Sequence, residues 1–148
     1  MKLIKKQIDG LREIEVELRY AVMDAEVTKL IDCIEQTEKY VLGTDNGRHH
    51  KIRVSDIYYA ESIDKKTFIY TENSIFRTTL RLYQLFDSVK NINFIQISKF
   101  CFVNIDVLES VRVLSNSRLE ATLINGEKIH VSRTYLNDLK KAFSSRED

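Results

Sequence analysis

Residues 94 to 104 read FIQISKFCFVN, an apolar stretch that is interrupted at its centre by Ser98 and Lys99. In a β-strand alternate side chains share a face, so Lys99 would lie beside Ile97 and Cys101. Burial of an ammonium group at that position would be costly without a partner. The pattern therefore predicts that the strand breaks or bulges at Ser98 and Lys99 and directs the lysine outward.

The length and composition of the chain are those of an ordinary globular protein. It has 148 residues, 43% of them hydrophobic and 30% charged, which suits one domain or one domain with an appendage. No apolar run is long enough to span a bilayer, and the basic start MKLIKKQIDG lacks the apolar core of a signal peptide. Cys33 and Cys101 show neither metal-ligand spacing nor the density of a disulfide framework. We therefore expect a cytoplasmic protein with reduced thiols and no cofactor.

The formal net charge of +1 hides an asymmetry between the two parts of the chain. Residues 1–45 hold 7 Lys and Arg against 10 Asp and Glu, a net charge of −3. Residues 46–148 hold 16 against 12, a net charge of +4. The larger part is therefore compatible with a phosphate-binding surface, although a charge of this size does not require one.

The first 39 residues predict a small acidic appendage made of one strand and one helix. In residues 13–20 apolar and charged side chains alternate, which is typical of a half-buried strand. From Val27 apolar side chains follow at the third, fourth and seventh positions, and Asp24 is the candidate N-cap of an amphipathic helix. The appendage would mediate dimerisation, receive a regulatory partner or complete the main core, and the sequence leaves these three readings open.

Residues 40–148 are predicted to contain eight to ten short strands with two short helices inserted. The dipeptides Asn46-Gly47 and Asn125-Gly126 are turn signals that mark two hairpins. The segments LRLYQLFDSV and RTYLNDLKKAF carry apolar stripes with helical spacing, and Ser132 is the candidate cap of the second. The predicted fold class is therefore α+β overall and mostly β.

The sequence offers no constellation of residues that would indicate an enzyme. Nucleotide-binding glycine motifs, the Walker loop, the zinc-protease motif and the nucleophile elbow are all missing. The adjacent His49 and His50 would point to opposite faces of a strand, and His130 falls in another predicted strand. We therefore predict neither catalysis nor a metal site.

Cationic residues occur instead at predicted loops and strand ends. Lys65 and Lys66 follow one strand, Lys99 interrupts another, and Arg133 comes directly after Ser132. Free backbone N–H groups at the start of a helix favour a phosphate near Arg133. At this point the alternative remains that these residues are solvated surface charges, above all Lys65 and Lys66.

Two motifs resemble the LytTR DNA-binding domain family of bacterial transcription regulators. FIQISKFCFVN is similar to the family's F-x-R-[IC]-H/S-[RKN]-S-x-x-V-N, and LINGEKIHVSR is similar to its L-x-D-G-x-x-x-x-V-S-R. The resemblance covers about residues 40–143 and departs from the pattern at Phe100, where a small residue is usual. It implies that residues 40–148 form an elongated arrangement of about ten short β-strands in small sheets with short helices, preceded by the strand-helix appendage at residues 1–39.

The resemblance also implies DNA binding through loops that enter successive major grooves, without a recognition helix. At the matching positions Lys99 reaches into the groove, Arg133 contacts bases, and Lys66 is a contact in the loop after the acidic strand end. Ser98 stands where many members have histidine. The full set of candidate DNA-binding residues is Lys65, Lys66, Arg77, Ser98, Lys99 and Arg133, with Lys65 and Arg77 as weaker candidates for phosphate contacts.

The leading hypothesis is a sequence-specific DNA-binding transcription regulator that acts as a homodimer on paired half-sites of double-stranded DNA. About 39 residues precede the resembling region, too few for the receiver domain of many family members, so the chain resembles stand-alone members, some of which a partner membrane protein controls. One alternative is a β-rich protein-interaction or ligand-sensing module that retains the fold without strong DNA binding. Another is an RNA-binding sheet that stacks bases on Phe68, Tyr70 and Phe102, although these aromatic residues alternate as core residues do.

Overall fold

The computed structural model describes residues 1–36, 39–90, 93–115 and 118–144, which form three α-helices and ten β-strands. The helices are α1 (Ala25–Gln36), α2 (Leu82–Val89) and α3 (Arg133–Ser144). The strands are β1 (Tyr40–Asp45), β2 (Arg48–Arg53), β3 (Tyr59–Ile63), β4 (Lys66–Tyr70), β5 (Ile75–Thr78), β6 (Phe94–Ser98), β7 (Cys101–Asn104), β8 (Leu108–Val113), β9 (Leu119–Leu123) and β10 (Lys128–Val131).

The strands pair antiparallel in two sheets. The larger sheet has seven strands in the order β2-β1-β5-β4-β3-β7-β6, and the smaller sheet has three in the order β10-β9-β8. Helices α2 and α3 lie where the two apolar stripes predicted them. The predicted mostly-β fold of about ten short strands in small sheets is therefore confirmed.

The two faces of the larger sheet cover two separate cores. One face packs with the smaller sheet and α3 around a cluster that includes Ile97, Val103, Leu123 and Leu139. The opposite face packs with α2 around a cluster that includes Ile69, Leu85 and Phe102. Since successive residues of a strand point to opposite faces, the adjacent Phe102 and Val103 enter different cores.

The stretch FIQISKFCFVN forms a hairpin. Strand β6 ends at Ser98, a two-residue turn contains Lys99, and β7 begins at Cys101. The pairing register also shifts just before Ser98, as a β-bulge does. The predicted break at Ser98 and Lys99 is confirmed, because Lys99 is exposed while Ile97 and Cys101 on either side are buried.

Two-residue turns close two further hairpins of the larger sheet. Between β1 and β2, Asn46 and Gly47 have φ angles of 48° and 78°, the positive pair that a tight hairpin turn requires. Between β3 and β4, Asp64 and Lys65 have φ angles of 51° and 65°. Lys66 pairs with the last residue of β3 and begins β4, so the sequence-based placement of Lys66 within the turn was wrong by one residue.

Asn104, the last residue of the quoted motif, holds the backbone together inside the protein. Its side chain donates a hydrogen bond to the carbonyl oxygen of Ile57 at 3.1 Å and accepts one from the N–H of Asp106 at 2.9 Å. It is 4% exposed. A buried amide whose donor and acceptor are both satisfied fixes the two chain segments that it joins, so this position of the motif serves the fold.

Two stacked tyrosines connect the larger sheet with the smaller one. The rings of Tyr59 and Tyr70 are 4.1 Å apart and nearly parallel. The Tyr59 hydroxyl donates a hydrogen bond to Glu127 Oε1, beyond β9, at 2.6 Å, and the Tyr70 hydroxyl donates one to Glu61. Burial, together with these carboxylates, raises the pKa of both tyrosines.

The free energy of unfolding is expected to fall at alkaline pH because of this tyrosine pair. Tyrosines of the unfolded chain ionise near pH 10.0, whereas the raised pKa keeps Tyr59 and Tyr70 protonated in the folded chain. Their contribution to stability is complete below that pH and is lost as the pH rises above it. Denaturant unfolding of the wild type and of Tyr59→Phe/Tyr70→Phe across the alkaline range measures this, and parallel pH profiles would contradict it.

The predicted strand at residues 13–20 does not form. The segment has no regular secondary structure and is exposed. A strand needs a neighbouring edge for its backbone groups and a surface for its apolar side chains, and within the single chain this segment pairs with no described strand and is buried against neither core. Helix α1 does form, with Asp24 accepting a hydrogen bond from the N–H of Val27 at 2.9 Å. None of residues 1–35 is buried, so the appendage adds no buried residue to either core.

Candidate nucleic-acid interface

The turn between β6 and β7 presents a cation and an aromatic ring to solvent. Ser98 Oγ accepts a hydrogen bond from the N–H of Phe100 at 3.2 Å, and the Gln96 side chain donates one to the carbonyl oxygen of Lys99 at 3.4 Å. The Lys99 ammonium lies 5.5 Å from the centroid of the Phe100 ring, which is 58% exposed. Local hydrogen bonds thus shape the turn, and Ser98 contributes to that shape.

Helix α3 begins beside this turn. The backbone N–H of Ser132 donates a hydrogen bond to the carbonyl oxygen of Ile97 at 2.8 Å, one residue before Ser98. Arg133, the first residue of α3, is exposed. Backbone N–H groups in the first turn of a helix lack intrahelical acceptors and favour an anion. The structure therefore brings Arg133 close to the Lys99 turn, which is distant from it in the sequence.

The turn between β3 and β4 lies next to the Lys99 turn on its other side. The N–H of Ser62 in β3 donates a hydrogen bond to the carbonyl oxygen of Phe100 at 2.9 Å. Lys65 follows in the β3–β4 turn, and Lys65 and Lys99 line one open cavity of about 280 Å³. Two lysines from separate loops therefore share one concave surface.

Lys66 and Arg77 line a second, larger groove of about 720 Å³. Arg77 pairs with Phe68, which is two residues beyond Lys66, so the two cations lie on the same face of the sheet. The other positively charged or titratable side chains along this groove are His49, Lys65 and Arg81. No carboxylate occurs among its described lining residues. Because the cations are not neutralised there, the groove is suited to a polyanion.

Arg81 and His49 belong to this groove, although neither is among the DNA-binding residues predicted from the sequence. The Arg81 guanidinium donates a hydrogen bond from Nη1 to the carbonyl oxygen of Lys65 at 3.1 Å, and its backbone N–H donates one to the Gln84 side chain at 2.9 Å. Arg81 thus supports the β3–β4 turn from the start of α2. No local pattern signals this role, because the contact with Lys65 joins residues 16 positions apart.

Neither a metal site nor a reactive buried thiol is found among the described residues. Within them no group of His, Cys, Asp and Glu side chains is placed to hold a metal ion. Burial raises the pKa of the Cys101 thiol to about 12, which keeps it in the unreactive protonated form. None of the described helices is long and apolar enough to cross a membrane.

The sequence matches a known family of DNA-binding domains. The family model of the LytTr DNA-binding domain matches residues 47–144. The "Sensory transduction protein LytT" of Bacillus anthracis is 28% identical over 141 residues, 95% of this chain and 53% of that protein, so the chain spans about half the length of this relative. An uncharacterized HTH-type transcriptional regulator of Staphylococcus aureus is 28% identical over 131 residues, 87% of this chain and 88% of that protein.

A solved structure has the same fold. The LytTr DNA-binding domain of a Bacillus cereus protein, described as a methyl-accepting/DNA response regulator, superposes with a TM-score of 0.63 and 23% sequence identity. The superposition covers 71% of this chain and 96% of that domain. The matched residues 47–144 contain both motifs and all the cation-bearing loops described above. The chain therefore belongs to the LytTR DNA-binding domain family.

Proposed function

We propose that the protein is a transcription regulator that binds double-stranded DNA sequence-specifically and inserts loop residues into successive major grooves. The observation that carries the proposal is a pair of backbone hydrogen bonds, from Ser132 to Ile97 and from Ser62 to Phe100. They hold together the β3–β4 turn, the β6–β7 turn and the start of α3, each of which bears exposed cations. Membership of a DNA-binding domain family supports DNA as the ligand.

Arg133 and Lys99 are the proposed groove-reading residues. The planar guanidinium of Arg133 is able to donate two hydrogen bonds to O6 and N7 of one guanine, a contact worth about 1–3 kcal/mol of discrimination between bases. Lys99 is exposed in the β6–β7 turn, so its ammonium group is able to contact either a base edge or a phosphate. Ser98 acts on this contact through the turn, because its hydroxyl accepts the Phe100 N–H.

Lys65, Lys66 and Arg77 are the proposed phosphate-binding residues. Their shared groove lacks carboxylates among its described lining, so its cations are available to the DNA backbone. Contacts of this kind set the register of the protein on the duplex and the salt dependence of binding, and they carry no sequence information directly. Arg81 adds a further cation to the lining of the same groove, and His49 lies beside these residues.

Loop insertion, without a recognition helix, agrees with the order of the elements. In the described part of the chain, strands separate each α-helix from the next, so no two helices are arranged as a helix-turn-helix pair. The cationic side chains also project from turns and from the first residue of α3. The related Staphylococcus aureus regulator carries the HTH-type description, and the loop mechanism is our proposal for this chain.

The protein acts as an assembly whose activity a partner controls. Two copies bind paired half-sites in the cytoplasm as a homodimer, since paired half-sites follow from two-fold symmetry of the protein. The acidic appendage at residues 1–39 receives a regulatory membrane protein. None of its residues 1–35 is buried in either core, so they are able to contact a partner without disturbing the DNA-binding domain.

Titration of labelled DNA from the protein's own upstream region tests the proposed function. Binding is measured at two salt concentrations, in the presence of scrambled competitor DNA. Specific binding that weakens steeply as salt rises is expected, because each neutralised phosphate releases counterions. Binding without preference over the competitor, or insensitive to salt, would favour the alternative of a protein-interaction or ligand-sensing module.

Replacement of Lys65 by glycine is expected to separate DNA binding from stability. Lys65 has a φ of 65°, a left-handed conformation that costs a residue with a side chain about 1–2 kcal/mol relative to its preferred regions. Glycine relieves this cost, so Lys65→Gly should unfold at an unchanged or higher denaturant concentration. The same variant should bind DNA more weakly and with a shallower salt dependence. A loss of stability would contradict the argument from the left-handed backbone of Lys65. Unchanged DNA binding would contradict its role in phosphate contact.

A further inference from the structure

Residues 13–20 expose an amphipathic pattern that no described residue buries. The apolar members are Ile14, Val16, Leu18 and Tyr20, which are 92%, 58%, 37% and 49% exposed. The charged members between them are Glu13, Glu15, Glu17 and Arg19. As a strand, the segment would carry its apolar side chains on one face and its charges on the other. Exposed apolar side chains that would form one continuous face in a strand indicate an interaction surface.

Strand β2 offers an edge that matches the segment. It lies at the end of the larger sheet and, among the described strands, pairs with β1 alone, so its outer side presents unpaired backbone N–H and C=O groups. One face of β2 carries Ile52, which is buried, and His50, whose ring packs on Phe76 at 5.1 Å. The other face carries exposed basic side chains. They are His49, Lys51 and Arg53.

The two faces of the segment complement the two faces of β2 at the same time. A strand added to β2 with its apolar face toward Ile52 and His50 extends that core. The same placement puts its glutamates beside Lys51 and Arg53, because both strands alternate with a period of two. This holds for either strand direction. Cross-strand pairs of opposite charge stabilise a sheet, whereas like charges destabilise it.

The charged groups on both sides are available for such pairing. Glu13 and Glu15 form no ion pair with any described residue, and the same is true of Lys51 and Arg53. Glu17 pairs with Arg19 at 3.1 Å, but both side chains are largely exposed, so this pair contributes little. Donor segment and acceptor edge are therefore both open in each copy of the chain.

We infer that residues 13–20 of one copy add as a strand to the outer edge of β2 of a second copy. The exchange is reciprocal, so it forms a closed two-fold dimer with two identical strand additions. A second copy is the occupant that the charges indicate, since each chain carries both the acidic strand and the basic edge. This strand exchange is the interface of the homodimer that the proposed function includes. Only the use of the dimer on paired half-sites rests on that proposed function.

Charge-swapped variants test the exchange by sedimentation velocity without DNA. Each of Glu13→Lys/Glu15→Lys and Lys51→Glu/Arg53→Glu places like charges across both contacts of a homodimer. Each variant alone is expected to dimerise about tenfold more weakly or worse. An equimolar mixture of the two is expected to recover dimers of wild-type affinity, because both contacts of the mixed dimer then join opposite charges.

Three results would overturn the inference. The first is a wild-type protein that stays monomeric up to its solubility limit. The second is a dimer that neither charge variant weakens, which would place the interface elsewhere. The third is a chain with all four substitutions that dimerises like the wild type, while the mixture of the two double variants does not. That result would mean that the segment pairs with β2 of its own chain.

Two separate proline substitutions test whether backbone hydrogen bonds form the contact. Val16→Pro removes an N–H and disturbs strand pairing at the centre of the segment, so it should weaken the dimer. Val22→Pro lies outside the segment at a position that is 71% exposed and should leave the dimer intact. Equal effects of the two substitutions would contradict strand addition.

Binding of a single DNA half-site separates this inference from the proposed function. Glu13→Lys/Glu15→Lys should retain the half-site affinity of a wild-type monomer, because it leaves every proposed DNA-contacting residue in place. A failure of DNA binding in the wild type would leave the sedimentation result unaffected. If Lys51→Glu/Arg53→Glu weakens half-site binding but not the dimer, the β2 edge is a DNA surface and the exchange is wrong.

Discussion

Arg133→Ala is expected to lower the preference for operator DNA over scrambled DNA by about tenfold or more, because a bidentate contact to guanine discriminates by about 1–3 kcal/mol. The folded state should be unaffected, since Arg133 is exposed at the first position of α3. Competition titrations with the two DNAs measure the preference. Lys99→Ala is expected to weaken binding as well, and to reduce the salt slope by about one unit if Lys99 holds a phosphate.

Arg112→Ala is the matched control for the loss of one arginine. Arg112 lies in β8 of the smaller sheet and contacts Glu120 at 3.3 Å. It lines neither the cavity of Lys65 and Lys99 nor the groove of Lys66 and Arg77. It should change neither the preference nor the salt slope beyond a small nonspecific effect. If Arg112→Ala and Arg133→Ala weaken binding equally, the arginine at the start of α3 reads no base and contributes charge alone.

Phe102→Ala is expected to lower the free energy of unfolding by about 3–5 kcal/mol. Phe102 is 1% exposed, and its ring contacts those of Phe86 and Phe94 with centroids 5.2 Å and 5.6 Å apart. Its removal leaves a cavity between α2 and the larger sheet, which surrounding side chains fill incompletely. Denaturant unfolding at neutral pH measures the loss.

Phe100→Ala provides the comparison within the same hairpin. Phe100 is 58% exposed in the β6–β7 turn, so its removal should change the free energy of unfolding by less than about 0.5 kcal/mol. Its effect should appear in DNA binding, because its ring lies against the Lys99 ammonium. A large loss of stability in Phe100→Ala, or a small one in Phe102→Ala, would contradict the placement of the two rings.

Much of the local structure followed from short-range patterns. The hairpin at Asn46-Gly47 depends on two residues that tolerate positive φ, and helix α2 depends on apolar spacing, so both were predictable from a few neighbouring residues. The outward position of Lys99 followed from the cost of burying an ammonium group in an apolar run. These are properties of one segment and its own side chains.

The strand expected at residues 13–20 shows the limit of such patterns. The alternation of apolar and charged side chains predicts which residues would share each face of a strand. Strand formation also needs an edge with which to pair. Within one chain the segment pairs with no described strand, and the pattern alone does not reveal this. Arg81 was missed for a related reason, since its support of the Lys65 turn depends on a contact 16 residues away.

The sequence by itself determined the family motifs, the hairpin turn at Asn46-Gly47, the helices and the outward position of Lys99, and it placed Arg133 at the start of a helix. The tertiary structure decided that these two residues lie near each other, that Lys65 shares a cavity with Lys99, and that Asn104 serves the fold. The physical reason is that turns and periodicity depend on neighbouring residues, whereas proximity depends on long-range backbone hydrogen bonds. The bond from Ser132 to Ile97 is one of these, and it joins a helix start to a hairpin across the fold.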